Sequence, residues 1–173
     1  MRHEIKVRDV KVARVERLAP DFVSVTFEGD SLADFVSASY DDHVKFIQQV
    51  DGEKVMRDYT PRRYDRAARQ LTIEFALHAA GHASDWARHV AVGQAAVIAG
   101  PRGSMIIPTD YAWHLLAGDE TALPAIRRRL EELPAGVDVH VLVSGAATAA
   151  LEFVSAASVR LQRVDTADDL VRT

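Results

Sequence analysis

The sequence predicts a mainly β protein with an α/β tail: a six-stranded antiparallel barrel over residues 1–110, then a partial parallel α/β lobe over residues 111–173. Through residue 99, short runs of alternating apolar residues are separated by turn-forming residues, the pattern of antiparallel strands. After Asp110 an amphipathic helical stripe lies between two apolar strands, the β-α-β signature of an open parallel sheet. Such sheets usually carry about five or six strands, and this lobe supplies three, so it reads as incomplete.

Ile5–Leu18 alternates imperfectly as one long strand, and Ala19-Pro20-Asp21 turns it into a second built on Phe22, Val23, Val25 and Phe27. Ser31–Ser37 has the weak periodicity of a short helix or loop. His43–Val50 is a third strand, and Asp51-Gly52 is a hairpin signal. The strand R-D-Y-T-P-R at 57–62 follows, then a turn at 65–70 and a strand in which Leu71, Ile73, Phe75 and Leu77 alternate. Ser84 is expected to cap a helix whose Trp86 and Val90 share a face. Gln94–Ala99 ends the barrel at the G-P-R-G loop of 100–103.

In the second part, residues 113–117 form a short apolar strand. Leu123, Ile126, Leu130 and Leu133 make one helical stripe, with Asp119–Thr121 as cap candidates and Pro134 and Gly136 at its end. Residues 137–143 read as a buried strand, 146–156 as a helix, 158–164 as a strand and 165–170 as an acidic turn. Trp86 and Trp113 read as packing anchors, and Arg127, Arg128 and Arg129 as a solvated helix face.

Composition excludes several chemistries. The chain has no cysteine, which removes disulfides, thiolate metal sites and iron–sulfur ligation. A net charge of -4 argues against nucleic acid as the main partner. No apolar run approaches the roughly 18 residues that cross a bilayer, and the first ten residues lack a signal-peptide core. The expectation is a soluble, cytoplasmic protein. His78 and His82 have metal-pair spacing, but they straddle Gly81 at a strand-to-helix turn and lack a helical H-E-x-x-H, so no metal site is expected.

The segment M-R-D-Y-T-P-R-R-Y at 56–64 carries the most chemistry. On a strand, Arg57 and Tyr59 share one face and Thr60 and Arg62 the other. A phenol that stacks beside a guanidinium that forks onto phosphate suits a flat, anionic ligand, and a flavin dinucleotide has both parts. The same alternation also fits a solvated strand face with cross-strand pairs.

Four stretches, D-H-V-K at 42–45, R-D-Y-T-P-R at 57–62, F-A-L-H with G-H-A-S-D-W-A through 75–87, and W-H-L-L-A-G-D-E-T-A-L-P-A-I at 113–126, occur in this order. With them the chain resembles the siderophore-interacting proteins, FAD-dependent ferric-siderophore reductases of ferredoxin-reductase type. The resemblance implies that Arg57 and Arg62 hold the FAD pyrophosphate or ribityl region, that Tyr59 stacks on the isoalloxazine and that Thr60 lies near its reactive edge. It implies His78 beside the adenine or ring-binding backbone, and Ala83 and Ser84 at a helix start that welcomes phosphate. Lys45 and Arg102 fall where the family places basic groups for anionic siderophores, and the match raises Asp119 and Glu120 toward the flavin site. Ala79 and His82 depart from the family's glycine and proline, and family members run well past residue 173. NAD(P)H or a ferredoxin is the implied electron donor. Two other readings stay open: a flavin- or siderophore-binding module without turnover, and a subunit that completes its sheet with another chain, as in a homodimer.

Overall fold

The computed structural model describes residues 1–77 and 81–172. The chain divides into two compact units, Met1–Ile106 and Ile107–Thr173.

The first unit is one curled antiparallel sheet of seven strands. They are β1 (Val7–Ala19), β2 (Phe22–Glu28), β3 (Val44–Val50), β4 (Glu53–Tyr59), β5 (Pro61–Asp65), β6 (Gln70–Ala76) and β7 (Ala95–Ala99), in the order β4-β3-β7-β1-β2-β6-β5. The seventh strand appears because the segment expected to be one strand across 57–62 is two. β4 pairs with β3 at one edge, and after Thr60 the chain enters β5, which pairs with β6 at the other. Pro61 opens β5 without an N–H to give a ladder, a role proline tolerates at an edge. The expected alternation through Thr60 and Arg62 therefore fails. The Tyr59 ring reaches across from the β4 edge to β6, the neighbour of the other edge, 4.4 Å from Phe75.

The barrel core is aromatic and branched: Phe22, Phe27, Phe35, Phe46, Phe75, Leu71, Ile73 and Ile98 are each 2% exposed or less. Leu32 follows Gly29 in a 3-10 turn, Asp30–Leu32, which resolves the helix-or-loop choice for residues 31–37. Helix α1 (His82–His89) drives Trp86 into this core, stacked 6.1 Å from Phe27 and tilted 4.6 Å from Phe46. Its N-cap is Gly81, at φ 147, not Ser84. Ser84 lies in the first turn instead, buried, with its hydroxyl 3.5 Å from the Ala76 carbonyl.

The second unit contains β8 (Trp113–Gly118), α2 (Leu123–Glu132), β9 (Asp138–Ser144), β10 (Ser158–Val164) and α3 (Ala167–Arg172), with the sheet parallel in the order β10-β9-β8. The Leu123, Ile126, Leu130 and Leu133 stripe is buried as its spacing requires. The expected helix over 146–156 is a single 3-10 turn, Ala146–Ala149. Arg163 takes the Thr148 carbonyl at 3.1 Å and Ser155 reaches back to the Leu130 carbonyl at 2.6 Å, which draws the chain away from a helical path. The acidic turn is the start of α3, where Thr166 and Asp169 cap one another. Two packing expectations are corrected. Trp113 is 62% exposed, because β8 turns its odd residues away from α2, and Arg129 is buried, donating to the Pro108 carbonyl at 2.5 Å. No helix among the described residues is long and apolar enough to cross a membrane.

Candidate functional site

Register decides which side chains of β3 and β4 share a face. Val44 faces Tyr59 and Phe46 faces Arg57, so the core-facing side of this edge carries both Arg57 and Tyr59. Phe46 stands edge-on to the Tyr59 ring at 6.1 Å and Phe75 lies tilted at 4.4 Å. Those two rings pack against the phenol and hold its orientation. Burial pushes the Tyr59 hydroxyl up to about 12, against the pull of Arg57. The phenol is therefore neutral and protonated across the working pH range.

Arg57 is exposed, and among the described residues its bond is to its own neighbour, the Met56 carbonyl at 2.9 Å. No carboxylate is drawn onto it, so the fork is available to an anion. This donor set, a guanidinium without a counter-ion beside a backed aromatic ring, fits a dinucleotide that carries pyrophosphate and a planar ring.

Arg62 stands elsewhere. It is 5% exposed beside Glu74, also 5% exposed, with Nε 3.5 Å from Oε1. Thr60, half-buried, lies at the crossing between the edges. Ala83 and Ser84 are buried in the first turn of α1, whose leading N–H groups have no intrahelical acceptor. His78 lies outside the described residues. Among the described residues no cluster of histidine and carboxylate side chains could hold a metal.

Lys45 lies on the opposite face of β3 from Phe46, directly across from Asp58, and donates to its carboxylate at 2.6 Å. Arg102 is exposed in the loop after β7. The next loop residue but one, Ser104, donates to buried Asp42 at 2.7 Å, and Asp42 also accepts from Ser37 at 2.8 Å. That bond ties the loop of Arg102 to the approach to β3, and with it to Lys45. Asp42, Asp58 and Glu74 are partners of the candidate residues and their loops that sequence reasoning missed. Asp42 and Asp58 lay inside quoted motifs, but their partners are distant in the chain. Glu74 left a trace, the lone charge in L-T-I-E-F-A.

In the second unit, the G-D-E-T turn joins β8 to α2. A Cβ on Gly118 would stand 2.4 Å from the Ala122 Cβ, so the turn needs glycine for close approach. Asp119 accepts from the Thr121 N–H at 2.9 Å, and Glu120 reaches the Ala147 N–H at 2.9 Å beyond β9. Both acidic side chains thus act on the backbone of their own unit.

Two family descriptions match the chain. One is the siderophore-interacting FAD-binding domain, over residues 11–55 and 48–105, and the other is the siderophore-interacting protein, over residues 111–172. The NADPH-dependent ferric-chelate reductase of Escherichia coli (strain K12) is 38% identical over 152 residues, 77% of this chain and 59% of that protein. The ferric vibriobactin reductase ViuB of Vibrio cholerae is 30% identical over 152 residues, 75% of this chain and 55% of that protein. Among solved structures, a siderophore utilization protein from T. fusca superposes with a TM-score of 0.89 at 32% identity, over 99% of this chain and 76% of that one. The chain spans between 52% and 59% of the curated relatives it matches.

Proposed function

This chain belongs to the siderophore-interacting protein family, and we propose that it holds FAD and serves the reduction of ferric siderophores with electrons from NAD(P)H. The observation that carries the reading is the Arg57–Tyr59 pair on one face of β4, with the ring backed by Phe75 at 4.4 Å. The ferric-chelate reductase of Escherichia coli and the ferric vibriobactin reductase of Vibrio cholerae support the substrate class, and the first, NADPH-dependent, supports the donor.

Each residue has a proposed task. Arg57 grips phosphate oxygens bidentately, and Tyr59 offers a neutral face for stacking. Thr60 presents its hydroxyl at the ring edge. The first turn of α1, with Ala83 and Ser84, supplies N–H groups to the anion, and His78 lies on the adenine side. Arg62, seated against Glu74, supports the strand entry and the ribityl side. Lys45 and Arg102 meet the chelate's negative charge. When bound, FAD supplies the conversion between a two-electron donor and one-electron ferric acceptors. Hard catecholate or hydroxamate oxygens hold Fe(III) far better than Fe(II), so reduction frees the metal without a side-chain acid or base at the iron.

The test begins with FAD titration of the purified protein, followed by flavin absorbance after gel filtration. Tyr59→Ala is expected to weaken FAD retention by about tenfold or more, since base–aromatic stacking contributes roughly 1–3 kcal/mol. Undiminished flavin content in Tyr59→Ala would show that the pair is structural. Anaerobic mixing of the loaded protein with NADPH and a ferric siderophore then checks turnover. Bound flavin that fails to bleach favours a binding module over a reductase.

A further inference from the structure

Pairing across four strands builds a row on the outer face of the sheet: Val7 of β1, Ala99 of β7, Lys45 of β3 and Asp58 of β4. The next row on that face is Asp9, Val97, Ile47 and Met56. The floor is largely apolar, with Val7 64% and Met56 43% exposed on either side of buried Ala99. Lys45 does not stand on it alone. Its ammonium donates to the Asp58 carboxylate at 2.6 Å, with the two side chains 44% and 49% exposed. Asp9 adds a second carboxylate one row on. An ion pair this exposed contributes little to folding, so its consequence lies in the field it presents to a ligand.

We infer that Asp58 selects the charge of the ferric chelate, favouring complexes with an apolar body and little net charge over trianionic ones. The inference rests on the reading of Lys45 as the chelate's cationic contact. A trianion seated at Lys45 must displace or tolerate Asp58, whereas a neutral chelate meets an apolar floor whose one ammonium is already balanced. At about 7 Å in a water-like dielectric, with screening over a Debye length of ~10 Å, one carboxylate weakens the binding of a −3 complex about fivefold. It leaves a neutral complex unaffected to first order.

The experiment measures dissociation constants, by quenching of protein fluorescence, for two chelates: a hexadentate ferric tris-catecholate of charge −3 and a neutral hexadentate ferric tris-hydroxamate. Asp58→Asn is expected to tighten the tris-catecholate about fivefold at ~0.1 M salt, with the gain growing at lower and shrinking at higher salt, and to leave the tris-hydroxamate within about twofold. Lys45→Ala is expected to weaken the tris-catecholate. If Lys45→Ala weakens it but Asp58→Asn changes nothing, Lys45 is the contact and Asp58 is no selector. If neither substitution moves either constant, the chelate does not bind at Lys45 and both readings fall together. Equal tightening of both chelates by Asp58→Asn would also overturn the inference, because charge would not be what is read.

Discussion

Arg57 and Arg62 sit five positions apart in one motif yet meet opposite environments. Arg57 is exposed and, among the described residues, carries no carboxylate, while Arg62 is almost fully buried against Glu74 at 3.5 Å. The motif made both residues visible in the sequence, but the difference was not, because it depends on a partner strand that pairs with β5 only after folding. Removing one member of a buried ion pair typically costs roughly 3 kcal/mol, whereas replacing both with apolar groups is often close to neutral. Glu74→Ala is therefore expected to lower the unfolding free energy by that order, and Arg62→Met with Glu74→Met to restore most of it. Urea titration of both variants measures this. The double variant also isolates the role of Arg62. If flavin content stays at the wild-type level in a folded Arg62→Met/Glu74→Met protein, this arginine serves the barrel and not the cofactor.

The strands were legible wherever a two-residue period met a half-buried face: β2, β3 and β7 lie where alternation placed them, within a residue at each end, while β6, expected over 71–78, ends at Ala76. The break at Thr60 was not, since Tyr, Thr and Arg read as one favourable β run and only pairing partners reveal that the chain leaves one edge for the other. The connection after β9 failed for a related reason. A-A-T-A-A-L-E-F has good helix formers, but Gly145 enters it at φ 108 and tertiary bonds take its carbonyls. Gly145 also lies under Glu120, whose Cγ would stand 2.1 Å from an added Cβ. Gly145→Ala must therefore strain the backbone and push Glu120 off the Ala147 N–H. The expected destabilisation is about 2–4 kcal/mol, the sum of a left-handed penalty and a lost charge-assisted bond. Thermal melting of the variant checks it, and Glu120→Ala should cost less, because the strained φ is then left to glycine.

Across the whole chain, stability should fall toward acid in two separable steps, one from each unit. In the second unit His114 is buried on β8, and burial first, then the charge of Arg129, holds it below its ordinary value, against a backbone hydrogen bond with Thr109. Among the described residues its Nε2 has no hydrogen-bond partner, and Tyr111 stands edge-on to the ring at 5.9 Å. The unfolded chain therefore binds a proton at this position before the folded chain does. Stability is full above the unfolded value of about 6.5 and declines as pH falls from there toward the lowered folded value. In the first unit Asp34 is pulled down to about 2 by hydrogen bonds from Lys6 and Arg8. Asp34 is exposed and solvent screens its pairs, so its contribution is small; it is present above the ordinary carboxylate value and is lost as pH falls from there through about 2. Melting temperatures measured from pH 8 downward should thus show an early decline that His114→Gln removes and a later one that it leaves in place. A His114→Gln profile that kept the early decline would assign it to another group, and would mean that the buried imidazole is as easily protonated folded as unfolded.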